Sequence, residues 1–280
     1  VAPEDIDLVS ATQGPGLIGS LVVGLNFAKA FAAARDIPFL PVHHVEAHMF
    51  SVFLERPYPA YPFLSLVVSG GHTLLAAVES HDRYAILGST IDDAAGEAFD
   101  KVAKMLKLGF PGGPEIEKRA RSGRNQAIPF PRPMIDSPDD NFSFSGLKTS
   151  VLYYLRRYYR PFLDGEQALP AEDLADICAS FQAAVIDVLC GKTLRAAQRT
   201  GIRDIALSGG VSANGTLRSR MGSMADTHGL RVYLPSREFT TDNAAMVANR
   251  ARLLAERIDL RTLIAPAFSR IVGLRRHERS

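Results

Sequence analysis

The chain has 280 residues, 46% of them hydrophobic and 22% charged, with a formal net charge of +2. This is ordinary globular composition with length for a large core, so it excludes a low-complexity or disordered chain and points to two domains or one large α/β unit. The charge balance neither demands nor excludes nucleic acid, and any basic surface has to be local.

The first stretch, VAPEDID, is acidic and carries no signal-peptide pattern. It has no initiator methionine and opens almost directly into a strand, IDLVSA, so the chain is expected to lack its natural beginning. TQGPG then leads into a predicted helix over 17–35. Its apolar run is broken by Gly19, Ser20, Gly24, Asn26 and Lys29 and reads as a buried helix rather than a membrane span. PFLPV predicts a strand running into HHVEAH, residues 43–48. FLSLVVSGGHTLLAAVE reads as two strands joined by a glycine turn, YAILGST as another strand, and DDAAGEAFDKVAKMLKL as a helix. Residues 109–146 are rich in Gly, Pro and Ser and read as irregular, apart from a short helix near PEIEKRA. Beyond them the chain is mainly helical, with DIALSGG and RVYLP as strands. The class is α/β, with parallel strands expected in the second half. Cys178 and Cys190 fall in one helical pattern, 12 residues apart. That is roughly 18 Å along a helix, too far for a disulfide, and it fits a reducing compartment.

Two segments echo each other. LVVSGGHT (66–73) and IALSGGVSANG (205–215) both place Ser-Gly-Gly at the end of an apolar strand. Glycines there let backbone N–H groups turn toward a phosphate or another anion. Either could be an ordinary strand-end turn; one in each half points to a two-lobed nucleotide fold with a central cleft.

The histidine cluster is read through helix geometry. A helix starting near His43 puts His44 and His48 at i and i+4 on one face, a spacing that suits two imidazoles on one divalent metal. His43 points elsewhere. Glu46 is rotated roughly 200° from His44 and cannot share that face. In H-E-x-x-H proteases the glutamate at i+1 activates a metal-bound water; H-x-E-x-H keeps the metal pair and misplaces the base. The same pattern also suits a surface helix with histidines. A third ligand must come from elsewhere, and Asp242 in FTTDNAAM is by spacing one of many carboxylates.

Taken together, ATQGPGLIGSLVVGLNFAKA, PVHHVEAHMFS, LVVSGGHT, DDAAGEAFDKVAK, GFPGGPEIEK, FSFSGLKTSV, ALSGGVSANGTLR and TDNAAMVA resemble the TsaD family. These are the tRNA N6-adenosine threonylcarbamoyltransferases, once labelled O-sialoglycoprotein endopeptidases. The resemblance implies the two-lobed fold of actin, Hsp70 and sugar kinases (ASKHA). It divides the chain approximately into a remainder of the first lobe (1–90), a helical insertion and interlobe region (91–170) and a second lobe (171–280). It implies one divalent metal, iron or zinc, on His44, His48 and Asp242. It also implies a pocket for threonylcarbamoyl-AMP at Val67, Val68, Ser69, Gly70, Gly71, Asp100, Gly113, Glu117 and Asn214. Asp100 is expected to accept a ribose hydroxyl, while Asp93 and Glu97, on the same predicted helix face, read as a solvated acidic face. Family members begin a few dozen residues earlier, so the first lobe is expected to lack central strands.

The implied activity is transfer of threonylcarbamoyl to N6 of the adenosine next to the anticodon, position 37, in tRNAs reading codons that begin with A. The implied partners are tRNA, threonylcarbamoyl-AMP and, in a bacterium, TsaB-like and TsaE-like helper proteins, in the cytoplasm and without a membrane. A metallopeptidase, a small-molecule kinase of the same fold and a non-catalytic scaffold are the competing readings. YYLRRYYR (153–160) reads either as a helix with tyrosines inward and arginines solvated, or as a face for bases and phosphates. KRARSGR (118–124) and LRRHERS (274–280) are further basic candidates.

Overall fold

The computed structural model of the chain describes residues 2–255. β1 (Val9–Gly14) and β2 (Phe39–His43) pair in parallel, joined by α1 (Ile18–Arg35). Parallel pairing needs such a crossover. α1 stops where Asp36 takes the left-handed backbone, φ 53°, a conformation that aspartate tolerates better than most residues. α2 (His44–Phe50) begins at the residue after β2.

β3 (Phe63–Val68), β4 (Thr73–Val78) and β5 (Tyr84–Ser89) form an antiparallel meander. Then come α3 (Ala95–Met105), α4 (Gly112–Ala120), α5 (Ser145–Tyr158), α6 (Arg160–Leu163) and α7 (Ala171–Thr200). β6 (Asp204–Ser208), α8 (Gly215–His228), β7 (Arg231–Tyr233) and α9 (Ala244–Ala255) complete the described chain. The second sheet has the order β5-β4-β3-β6-β7, with β3, β6 and β7 parallel. It joins strands from both sides of the boundary expected at residue 90. Every residue of β3, β4 and β6 is buried, which is why FLSLVV and TLLAAV lack polar alternation: both faces are covered.

α7 is the spine of the main core. Ile177, Phe181, Val185 and Leu189 pack in one cluster with Leu64 and Leu66 of β3 and Phe99 and Val102 of α3. The helix ends at Gly201, φ 72°, the left-handed cap that glycine takes without strain. Cys178 and Cys190 are both free and buried on it, and burial pushes each thiol up to about 12. On the other face of the sheet, Val45, Met49 and Phe50 of α2 pack with Phe63, Val67 and Leu74.

Two sequence expectations need correction. α1 is not a buried helix in residues 2–255: Leu21, Leu25, Ala28 and Ala32 are buried at near-helical spacing, but Leu17, Val23 and Phe27 are over 70% exposed. Only one face of an all-round apolar helix meets the β1–β2 layer. The tyrosine-arginine segment is mixed rather than uniformly inward. Tyr154 and Tyr159 pack against each other, while Tyr153 and Tyr158 face outward, with Arg157 over the Tyr158 ring. Lys118, Arg119, Arg121 and Arg124 are exposed. LRRHERS lies outside the described residues.

Candidate functional site

β3 and β6 lie side by side and parallel, with Val67 opposite Ser208. Their Ser-Gly-Gly turns therefore emerge together at the same end of the sheet, the end where open α/β folds collect ligands. The repeat in the sequence is thus a spatial pair. The first turn is closed by Ser69, whose N–H donates to the His72 carbonyl at 2.8 Å while its hydroxyl accepts the His72 N–H at 3.1 Å. α3 abuts this turn through Gly96, whose N–H donates to the Ser69 carbonyl at 3.2 Å. A Cβ at Gly96 would lie 2.5 Å from that oxygen, so only glycine lets the helix approach.

The histidine segment takes the helical form that its spacing requires. In α2 the His44 and His48 rings stand 4.8 Å apart, and His48 is fully buried. Asp242 enters from the segment just before α9, which packs on α2. Its Oδ1 lies 3.1 Å from His48 Nε2 and 3.4 Å from His44 Nε2. A tetrahedral ion with bonds near 2.1 Å separates its ligands by about 3.4 Å, so the two spacings to Asp242 fit one bound ion, and all three ligand atoms lie within 4.8 Å of one another. Two imidazoles and a carboxylate form a donor set suited to zinc or ferrous iron. Hydrogen bonds from His44 and His48 hold the Asp242 carboxyl far below the ordinary carboxylate range. His48 Nδ1 is buried without a hydrogen-bond partner among the described residues.

Glu46 is held elsewhere. Arg250 of α9 binds its Oε2 through Nε at 2.9 Å and Nη2 at 2.6 Å, and the Tyr84 hydroxyl donates to its Oε1 at 2.8 Å. The carboxylate that sequence reasoning found misplaced for a base is thus committed to a buried arginine.

Two recesses meet at Gly70. One, about 830 Å³, is lined by His44, Gly70, Gly71, His72, Asp242 and Asn243, with the start of α1 opposite. The other, about 350 Å³, is lined by Gly70, Asp100, Gly113, Glu117 and Asn214, with Phe110 at its rim, 86% exposed. The structure therefore brings Gly70, Asp100, Gly113, Glu117 and Asn214 to one cavity and puts Ser69 and Gly71 beside the triad. Val67 and Val68 line neither recess; their side chains are fully buried in the sheet. Several of these groups already hold the frame. Asp100 accepts the Gly112 N–H at 2.7 Å, Glu117 accepts the Gly215 N–H at 2.9 Å, and Asn214 caps α8 by accepting the Leu217 N–H at 2.9 Å. Asp93 departs from the solvated face expected of it. It precedes α3, is 8% exposed and is bound by Lys101 and Lys148.

Four residues escaped the sequence reading. His72 sits 6.3 Å from His44, ring to ring, and burial among the other imidazoles pushes it down to about 4. Its place directly after Ser-Gly-Gly was the available signal. Phe110 could have been noticed beside GFPGG. Gln182, which accepts from Asn214 Nδ2 at 2.8 Å, and Arg250, 204 residues from Glu46, have no local signature.

The family model described as TsaD, tRNA N6-adenosine threonylcarbamoyltransferase, matches residues 1–249. Curated proteins of that name are similar over most of the chain. That of Syntrophotalea carbinolica is 49% identical over 247 residues, 88% of this chain and 70% of the relative. That of Desulforapulum autotrophicum is 49% identical over 270 residues, 96% and 79%. That of Syntrophobacter fumaroxidans is 52% identical over 246 residues, 88% and 72%. Among solved structures, full-length HypF in a phosphate- and nucleotide-bound form superposes with a TM-score of 0.61 at 15% identity, over 90% of this chain and 47% of HypF. HypF of T. kodakarensis superposes with a TM-score of 0.62 at 18% identity, over 90% and 41%. The chain thus spans under half of either HypF, and at such identities the likeness concerns the fold alone.

Proposed function

Because the chain belongs to the TsaD family of tRNA N6-adenosine threonylcarbamoyltransferases, we propose that it moves threonylcarbamoyl from threonylcarbamoyl-AMP to N6 of adenosine 37 in tRNAs reading codons that begin with A. Its fold is the family's two-lobed α/β architecture of actin, Hsp70 and sugar kinases, and its substrate is tRNA. The observation that carries the finer reading is the meeting of two recesses at one glycine turn. The smaller cavity, at Asp100, Gly113, Glu117 and Asn214, takes the adenosine of the donor. The Ser69–Gly71 turn takes its phosphate, and the reacting carbonyl then lies toward His44 and Asp242.

An exocyclic adenine amine is a poor nucleophile because its lone pair is delocalised into the ring. The donor must therefore arrive activated and be held in line with the amine. In the reaction a C–N bond forms at the carbamoyl carbon, the bond to the phosphate oxygen breaks, AMP leaves, and N6 loses a proton to solvent. His44, His48 and Asp242 would hold one Fe²⁺ or Zn²⁺, whose Lewis acidity would stabilise negative charge developing on the donor. No serine or cysteine nucleophile is needed. An anticodon loop presents unpaired bases, so the target enters a cleft without melting a duplex. TsaB-like and TsaE-like proteins in a bacterial cytoplasm are the proposed helpers. With Glu46 bound by Arg250 and Tyr84, a metallopeptidase reading has no water-activating base on α2.

The test is mass analysis of nucleosides from tRNA incubated with the protein, threonylcarbamoyl-AMP and the helpers. Threonylcarbamoyladenosine is expected, with turnover abolished by Asp242→Ala in a protein that stays folded. Unmodified tRNA, or full activity in Asp242→Ala, refutes the reading.

A further inference from the structure

We propose that Glu46 and Arg250 are a positioning pair that sets how tightly His44, His48 and Asp242 bind metal. The inference rests on the metal reading of that triad and deepens it. The triad is split between two regions far apart in the chain: both histidines ride on α2, and Asp242 stands in the segment that leads into α9. Its geometry depends on how those elements are docked. The Glu46–Arg250 pair is a polar bond joining them directly. Glu46 lies midway between the two histidines on the opposite side of α2, and Arg250 lies eight residues beyond Asp242.

The pair is built for rigidity. Arg250 is 2% exposed and meets Glu46 with two nitrogens, at 2.6 and 2.9 Å. Its third nitrogen donates to the His81 carbonyl, and its guanidinium carbon sits 4.2 Å from the centre of the Phe50 ring. Glu46 receives the Tyr84 hydroxyl on its other oxygen. Asn249 adds a bond to the Phe50 carbonyl at 3.1 Å. A planar guanidinium bound on several sides fixes direction as well as distance, which a lysine cannot do. α2 is thereby held against α9 in both turns, through Glu46 in the first and Phe50 in the last. A shift of α2 along or about its axis would carry both imidazoles away from Asp242 together. Groups that hydrogen-bond metal ligands directly commonly change affinity by about 10- to 100-fold, and a pair acting through the helix that carries the ligands is expected at the lower end of that range.

The experiment is a zinc titration of the purified apoprotein by calorimetry, with the apoprotein melting temperature measured in parallel. The variants are Arg250→Met, Glu46→Gln, their double, Arg250→Lys, Tyr84→Phe and His48→Ala. Arg250→Met is expected to weaken zinc binding by about tenfold or more, measured well below its own melting point. Glu46→Gln should follow it, and the double should be no weaker than the worse single, since both remove one interaction. If Arg250→Met does not fold, Arg250→Lys and Tyr84→Phe are decisive, with expected losses of about threefold or more. A lowered melting temperature with zinc affinity within twofold of the parent overturns the proposal and leaves the pair a structural strut. If His48→Ala binds zinc as the parent does, the metal reading itself fails; if His48→Ala loses zinc and the Arg250 variants keep it, the positioning inference alone fails.

Discussion

The two Ser-Gly-Gly turns have the same three residues at the same end of adjacent parallel strands, yet their glycines answer different demands. The turn at 69–71 folds back into an antiparallel partner. A Cβ on Gly70 or Gly71 would meet nothing within 4 Å, so neither packing nor positive φ requires glycine there. What the small residues leave free is room in the recesses beside the triad and the smaller cavity. The turn at 208–210 runs through a short 3₁₀ segment into α8. Gly209 has φ 87°, and a Cβ there would lie 2.4 Å from the Val68 carbonyl oxygen. That glycine is demanded by the backbone of β3. One motif, read alone, thus covers a ligand-facing turn and a packing-driven one.

Substitutions can break this contrast. The largest effect is expected for Gly209→Ala. At φ 87° and ψ 160° the backbone lies in a region essentially confined to glycine, which costs an alanine about 1–3 kcal/mol, and the clash with Val68 forces the paired strands to shift. We expect a loss of about 3 kcal/mol or more in chemical denaturation; a loss under about 1 kcal/mol would mean that the turn is not packing-driven. Asn214→Ala, on the exit of the same turn, should cost about 2 kcal/mol. It removes the α8 cap and leaves the buried Gln182 carbonyl without its donor. Stability unchanged in that variant would mean the cap contributes nothing.

Gly70→Ala sharpens the contrast from the other side. It should leave stability within about 0.5 kcal/mol of the parent, since its Cβ meets open space. Yet AMP affinity should fall about tenfold, equivalent to about 1.4 kcal/mol, as the methyl group enters the space shared by both recesses. Full nucleotide affinity in this variant would place the phosphate elsewhere.

How much of this could be read from the chain follows the range of the interactions. The β3–β4 hairpin, α2, α4 and α7 were all anticipated, because apolar periodicity and glycine punctuation are local. The pairing of His44 with His48 was equally local, a matter of one helical turn. Asp242 was not: spacing made it one of many carboxylates, and the resemblance singled it out. The partners that hold the frame lie further still. Arg250 meets Glu46 across 204 residues and Asn214 meets Gln182 across 32, and no pattern in either neighbourhood marks them. α1 misled for a related reason. Its composition matches a core helix such as α7, but burial is set by neighbours; 78% of the apolar window in α7 is buried and 22% of that in α1.

The smallest effect concerns what lies behind the first turn. Periodicity put Asp93 on a solvated face of α3, but the helix starts at Ala95 and Asp93 anchors the segment before it. Lys101 reaches its Oδ1 at 2.6 Å and Lys148 its Oδ2 at 2.9 Å, while its carbonyl accepts the Thr90 hydroxyl. Three residues on, Gly96 packs onto Ser69 and Gly70. Burial by itself would raise the Asp93 carboxyl, but the hydrogen bonds and charges of the two lysines outweigh it and hold the group below its ordinary value. A depressed folded pKa contributes stability that is present above the unfolded value, near 3.9, and is lost as pH falls through the folded one. Asp93→Asn should therefore be less stable than the parent by on the order of 1 kcal/mol near neutral pH. The gap should narrow as pH drops below about 4, once the parent carboxyl is protonated and the lysines lose their partner in both proteins. Urea denaturation of both proteins at a series of pH values measures that gap. If it is the same near pH 3 as near pH 6, the lysines do not depress Asp93, and the anchor behind the first turn is held by its backbone bonds alone.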